Sequence, residues 1–404
     1  MVNTSGMWLE VPYAIHGVFD CVAARGVLPS GVDVGDQRAG SLPPVSDWPD
    51  DGLQVAGALP GFGVGRAVGS LASSAGQSVS HAGGAGARVL ELRRAHPVWG
   101  GRKLRRLLER EGLSPPAAST ITEVLRRHGL LDGPGAGEAR AFVRFEHPEP
   151  NDLWQMDFKG HFALGQGRCH PLTLLDDHSR YALEIGACGD ERDTTVRPRL
   201  ERLFRHYGLP RRILADNGAP WGTCGPERHT RLTVWLLDLG IRTSHGKPYH
   251  PQTQGKEERF HRTLKAEVLN VRSFGALEEA QQAFDVWREI YNSYRPHEAI
   301  GLEVPASRYR ASPREMPAAI APPEYEPQEQ VRNVDDGGHI HFKGRKMGFS
   351  KAFAGRAVAL RATTTDGLFD LCYRHHVLAQ VDLRQNMVKP VHHVSEQSST
   401  LSPV

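Results

Sequence analysis

An aspartate set in the middle of an alternating apolar strand constrains this chain more than any compositional total. In DLWQMDFKG, residues 152–160, Trp154, Met156 and Phe158 alternate with Gln155 and Asp157. That two-residue period predicts a β-strand with one face in a core, so Asp157 points away from the apolar side. Further on, RRILADNG predicts a short buried strand, Ile213-Leu214-Ala215, that ends on Asp216 and Asn217-Gly218. Between them, CHPLTLLDDHSRYALEIGAC predicts two apolar strands around an Asp-Asp-His-Ser-Arg turn. TVRPRLERLFRHYGLP predicts a helix aligned on Leu200, Leu203 and Phe204 and stopped at Gly208 and Pro210. Residues 228–240 and 253–270 also have helical patterns. Strands first, then strand and helix in alternation, point to an α/β domain over residues 151–272.

Composition divides the rest. Residues 1–87 hold 16 of the 43 glycines, no lysine, and three arginines against seven acids, a net charge of −4. The whole chain of 404 residues carries +3, so residues 88–404 carry +7. Residues 57–87, rich in Gly, Ala and Ser, are expected to stay flexible. No apolar run reaches the roughly 18 residues of a membrane span, and the N-terminus lacks a basic start followed by an apolar core. The five cysteines (Cys21, Cys169, Cys188, Cys224 and Cys372) are scattered without CxxC spacing. That argues against a zinc module or a disulfide framework and makes a reducing cytoplasm the expected compartment.

From residue 88 to 131, Val89, Leu90 and Leu92, then Leu104, Leu107 and Leu108, then Ile121, Val124 and Leu125 recur at helical spacing. Three short helices carrying Arg102, Lys103, Arg105, Arg106, Arg126 and Arg127 suggest a helix-turn-helix-like DNA-binding unit. Residues 132–150 read as a linker, and residues 273–315 as a helical extension with stretches at 276–294 and 303–310. A Pro-rich linker is expected at 316–335, a small β-barrel at 336–384, and a loose tail at 385–404.

A third acid comes from the helix after residue 253, where Glu257 and Glu258 compete. At about 100° per residue, Glu257 falls within the apolar stripe of Phe260, Leu264 and Val268. Glu258 falls about 120° away, on the face shared with His261, Arg262 and Lys265, among cations able to hold phosphates. Bringing carboxylates together from two strands and a helix is unfavourable unless a divalent cation occupies the site. Two such ions roughly 3.5–4 Å apart can clamp an in-line phosphoryl displacement. Spacing alone does not establish convergence: 58 residues separate Asp157 from Asp216, and 41 separate Asp216 from Glu258. Asp176, Asp177 and His178 sit in a short turn between strands, where a capping role is expected rather than metal binding.

WQMDF, LADNG and HGKPYHPQTQGKEERFHRTLK strongly resemble the retroviral-integrase-like DDE transposases of bacterial insertion sequences. The resemblance covers about residues 88–384. It implies an RNase H-like catalytic core, preceded by a helix-turn-helix-like helical domain and followed by a small β-barrel. The family's glutamate lies three residues after the glycine of its PQ-x-x-G segment, which here gives Glu258 after Gly255. The resemblance thus implies Asp157, Asp216 and Glu258 as catalytic and metal-holding residues, with Mg²⁺ or Mn²⁺, two ions per site. Lys247, His250, Gln252, Lys256, Arg259, Arg262 and Lys265 become candidates for holding phosphates. The implied activity is divalent-metal-dependent cleavage at transposon ends and transfer of the freed 3′-hydroxyl to target DNA. The implied partners are double-stranded DNA and further copies of the chain, in a bacterial cytoplasm at the nucleoid. Two other readings are a DNA-binding regulator derived from a decayed transposase and an RNase H-like nuclease that cuts without joining.

Family members begin with a helix-turn-helix where this chain has its Gly-rich stretch. Synonymous codons exist for residues 40–76 whose one-base-shifted translation carries an Arg-rich, Lys-Trp-Leu helix-turn-helix pattern. Residues 1–87 are therefore a candidate frame-shifted segment, and translating the gene in the neighbouring frame decides it.

Overall fold

The computed structural model describes residues 77–131, 146–222, 229–245 and 255–390, with side chains from residue 85. The frame-shift expectation for residues 40–76, most of the linker at 132–150, the phosphate candidates Lys247, His250 and Gln252, and the end of the tail lie outside these residues. The chain divides into two units, Met1–Ala95 and His96–Val404.

In the first unit, helix α1 runs Gln77–Ala95, so residues 77–87 are helical where flexibility was expected. Alanines at 82, 85 and 87 are the best helix formers, and each residue added to the helix of residues 88–95 gains one backbone bond without a new nucleus. The compositional break at residue 87 is therefore not a structural one.

The second unit opens with α2 (Gly101–Arg110) and α3 (Ala118–Arg127). Their facing stripes, Leu104, Leu107 and Leu108 against Ile121 and Leu125, are buried. A Cβ on Gly101 would meet the Ala118 carbonyl oxygen at 2.4 Å, so only glycine lets the helices approach there. Trp99, in the preceding turn, is stacked on His96 with ring centroids 3.8 Å apart. Its indole N–H donates to Glu267, which also accepts from Trp287 and Arg295. That one carboxylate ties the helical unit to the helices of the α/β core.

The core is a mixed sheet of β1 (Trp154–Phe158), β2 (Phe162–Ala163), β3 (Arg168–Asp176), β4 (Ala182–Cys188), β5 (Arg212–Ala215) and β6 (Arg242–His245). Strands β1, β3 and β4 are antiparallel neighbours, while β1, β5 and β6 are parallel. The spatial order is β4-β3-β1-β5-β6, with β2 continuing the line of β1 beside β3. On one face, Trp154 and Met156 meet α4 (Asp193–Tyr207) and α5 (Arg231–Asp238). On the other, Cys169, Leu175 and Ile185 meet α6 (Gly255–Leu264) and α7 (Leu277–Glu289), each prolonged by a π-helical turn. The outer edge of β4 is closed by side chains rather than by a strand. Gln281 bonds the Ala187 N–H and the Ile185 carbonyl, and Asn292 bonds both backbone groups of Ala182. Such sealing removes an edge otherwise open to strand addition.

The helix expected at 303–310 is only the 3-10 turn Pro305–Ser307, because Pro305 supplies no N–H and Pro313 follows shortly. The Pro-rich stretch expected as a linker is tied down. Met316 and Ile320 pack on the first core, and the Tyr325 hydroxyl donates to the Ala357 carbonyl.

The C-terminal unit is a five-stranded antiparallel sheet in the order β7 (Gln330–Asn333), β10 (Ala357–Ala362), β11 (Leu368–Tyr373), β12 (His376–Asp382) and β13 (Met387–Pro390). The hairpin β8 (His339–Phe342) and β9 (Arg345–Gly348) packs against it through Ile340, Phe342 and Met347. Its core takes in Val234 and Leu237 of α5, whose Leu232, Trp235 and Leu236 face the mixed sheet. At the seam, Asp238 accepts from Tyr373 and pairs with Arg356 and Arg374.

Candidate active site

Asp157 leaves β1 one residue before its end, on the α6 side of the sheet and opposite Thr173 of β3. Asp216 follows the last residue of β5, the parallel neighbour of β1, so strand pairing brings the two acids to the same end of the sheet. Burial and then the Asp216 carboxylate push Asp157 up to about 7. Asp216 is held from behind: Gly218 N–H donates to its Oδ1 at 3.1 Å, and the His245 imidazole lies 2.7 Å from its carbonyl oxygen. Beside it, Trp221 stacks on Phe158 with centroids 5.4 Å apart.

The third acid divides the expectation. Glu257 is buried with Phe260 and Leu264, as its place on the helical wheel requires, and Glu258 is exposed in the first turn of α6. The pKa of Glu257 is raised well above the ordinary value, first by burial and then by Asp157. Among the described residues, no three of His, Cys, Asp and Glu are gathered closely enough to hold a metal. Asp157 and Asp216 stand on neighbouring parallel strands, and Glu258 lies on the exposed face of α6. As a donor set, the two aspartates fit a hard divalent cation: carboxylates on adjacent strands are a pair whose charge a cation offsets, and the Asp157 carboxyl is already raised by its neighbour.

His261, on the next turn of α6, was grouped on the wheel with Glu258 but turns inward with Glu257. Its Nε2 is 2.8 Å from Thr173 Oγ1, and its Nδ1 is 3.9 Å from Asp157 Oδ2. Burial and then Lys159 lower it to about 4, so the imidazole is neutral at pH 7. Neither Thr173 nor Lys159 stood out in the sequence. Register opposite Asp157 was the only signal that could have found Thr173.

The basic candidates separate into two groups. Arg259, Arg262 and Lys265 are exposed along α6 with Glu258, and Arg102, Arg126 and Arg127 are exposed on α2 and α3, the last two shared with Glu123. The others are engaged within the protein. Lys256 is ion-paired with buried Asp177, which also accepts from Gln155 and the His147 N–H. Burial lowers Lys256 to about 8 despite Asp177. Arg106 is paired with Glu303 and Glu109, and Lys103 is drawn down to about 8, by burial first and then by Arg295. Lys256 and Arg106 are thus held by carboxylates within the protein, and Lys103 is half-buried. In the turn after β3, Asp176 caps Ser179 and Asn151, as expected, while Asp177 is the counter-ion of Lys256.

The α/β core thus carries two aspartates on adjacent parallel strands and an acid-bearing helix across one face. Residues 147–251 and 239–305 each match the integrase core domain, and residues 329–389 match the C-terminal domain of IS481 family transposases. The chain is 28% identical over 244 residues to an uncharacterized 31.7 kDa protein of insertion element IS407 from Burkholderia multivorans, covering 58% of this chain and 84% of that protein. It is also 28% identical to a 39.2 kDa protein of insertion element IS476 from Xanthomonas euvesicatoria, covering 59% of this chain and 67% of that protein. Among solved structures, the catalytic core domain of an HTLV-2 integrase in complex with magnesium is 15% identical, covers 40% of this chain and 97% of that chain, and gives a TM-score of 0.31. These matches support an insertion-sequence transposase with an integrase-like core.

Proposed function

We propose that the chain is a transposase that cuts and joins DNA strands at a divalent-metal site formed by Asp157, Asp216 and Glu258. The observation that carries this reading is the placement of Asp216 beside Asp157, whose carboxyl it helps to raise, at the ends of β5 and β1 inside an integrase-type core. Mg²⁺ or Mn²⁺, as a pair of ions when bound, supplies compensation for the charge that develops at the phosphodiester and lowers the pKa of an attacking water. Asp157 and Asp216 hold cations from the sheet, and Glu258 adds a carboxylate from the exposed face of α6. Arg259, Arg262 and Lys265 share that face and hold phosphates by charge, independently of sequence. Arg102, Arg126 and Arg127 give α2 and α3 a basic surface for duplex DNA at the transposon ends. The C-terminal sheet, fixed on α5, is a further DNA-facing unit of the same body, and joining two ends requires more than one copy of the chain.

The test is strand transfer by the full chain on duplex DNA from the ends of its own element, with Mg²⁺ or Mn²⁺, comparing wild type with Asp157→Asn. Joined product from the wild type alone supports the proposal. Retained DNA binding with no product from either protein would favour the regulator, and cleavage without joining would favour the nuclease.

A further inference from the structure

Lys103 stands in the first turn of α2, which opens Gly-Arg-Lys with no acid and no side-chain cap. The N-terminal end of a helix carries partial positive charge, so a cation there is unfavourable and an acid is the usual choice. The lysine side chain is also half-buried. Burial first, and then Arg295, draws its ammonium down to about 8; Glu298 and Glu267 oppose that shift, and Arg259 of α6 adds to it.

No acid of the protein is spent on this cation. On the same helix, Arg105, Arg106 and Arg110 are each paired, with Glu109 or Glu303. Glu267 already accepts from Trp99 at 3.1 Å, Trp287 at 2.9 Å and Arg295 at 3.0 Å. Glu298 is exposed. Among the described residues neither Lys103 nor Arg259 forms an ion pair. The two are nevertheless kept on neighbouring elements. Trp99, just before α2, is bonded to Glu267 on the π-helical turn that continues α6, and Arg259 lies about two turns earlier on α6.

A half-buried cation among other cations is destabilising until an anion joins it. Positions that break a local rule in this way mark function more often than packing. A phosphodiester suits the pair: it carries one negative charge on two free oxygens, for an ammonium as a point charge and a guanidinium as a fork. We infer that Lys103 and Arg259 grip one stretch of DNA backbone together, on the same phosphate or on neighbouring phosphates of one strand. The helical unit and the catalytic helix then hold that strand at one point. Such a grip fixes the length of DNA between the duplex lying on α2 and α3 and the phosphate at the acids. The inference deepens the reading of the chain as a DNA transposase and rests on it.

The experiment is a scan of duplex DNA from the ends of the element, with each phosphate replaced in turn by a neutral methylphosphonate. Binding to the full chain is measured in EDTA for wild type, Lys103→Met, Lys103→Gln and Arg259→Ala. Wild type should lose about 10-fold in affinity at a phosphate held by these side chains. Lys103→Met and Arg259→Ala should each become insensitive at one position, and the two positions should coincide or be neighbours on one strand. Without DNA, Lys103→Met should melt at or above the wild-type temperature, because an unpaired half-buried cation is gone. Insensitive positions two or more nucleotides apart would overturn the inference, and so would a Lys103→Met profile identical to wild type. Failure of the wild type to bind any of these duplexes would instead overturn the DNA reading itself. Should Lys103→Met fail to fold, Lys103→Gln decides, since it removes the charge and keeps a polar side chain.

Discussion

Asp216 stands at the end of β5 beside Asp157 on β1, and its carboxylate adds to burial in holding Asp157 protonated up to about pH 7. A folded-state pKa above the ordinary 3.8 stabilises the folded protein at low pH. That contribution is fully present below about pH 4 and is lost as the pH rises through about 7. Asp157→Asn should therefore raise the melting temperature of the metal-free protein at pH 8 and change it little at pH 4. The gain has a ceiling of roughly 4 kcal/mol, and partial exposure of the side chain lowers it. Melting curves in EDTA at the two pH values check this, and an equal effect at both would contradict the crowding.

Lys256 and Arg259, three residues apart on α6, have opposite predicted phenotypes. Lys256→Met strips buried Asp177 of its cation and should cost about 3 kcal/mol in urea unfolding. Arg259→Ala, on the exposed face, should change stability by no more than about 0.5 kcal/mol. It should instead weaken DNA binding and reduce the salt slope of that binding by about one.

Asp238 carries the seam between the core and the C-terminal sheet, accepting from Tyr373 and pairing with Arg356 and Arg374. Asp238→Asn removes the charge while keeping the shape, and about 2–4 kcal/mol should be lost. Amide hydrogen exchange should rise across β10 to β12 more than in β1 and β3. Uniform exchange across both sheets would mean that the two unfold as one cooperative body regardless of this seam.

The core was readable because its signals are periodic. WQMDF alternates, so the strand and the face occupied by Asp157 followed directly, and the wheel around Phe260 and Leu264 correctly put Glu257 inside and Glu258 outside. Contacts within the buried stripe were not readable, because burial alone does not reveal that Thr173 and His261 lie beside Glu257; that depends on the pairing of β1 with β3. Charge type was also insufficient. Lys256 and Arg259 are equivalent as letters, and only the fold brings Asp177 to one of them. Composition misled twice. Gly and Ala at 77–87 suggested a flexible stretch that is helical, and the prolines of 316–335 suggested a loose linker where Met316, Ile320 and Tyr325 are anchored.

The most direct test of the central claim, that Asp157 and Asp216 work through a divalent cation on a DNA phosphate, is metal rescue at the scissile bond. End DNA would carry a single sulfur in place of one non-bridging oxygen of that phosphate, and cleavage by the full chain would be timed in Mg²⁺ and in Mn²⁺. Direct coordination predicts a rate in Mg²⁺ at least about 10-fold below that of the all-oxygen DNA, largely restored in Mn²⁺, which accepts softer ligands. Equal rates for the two DNAs in Mg²⁺, for both sulfur stereoisomers, would contradict it.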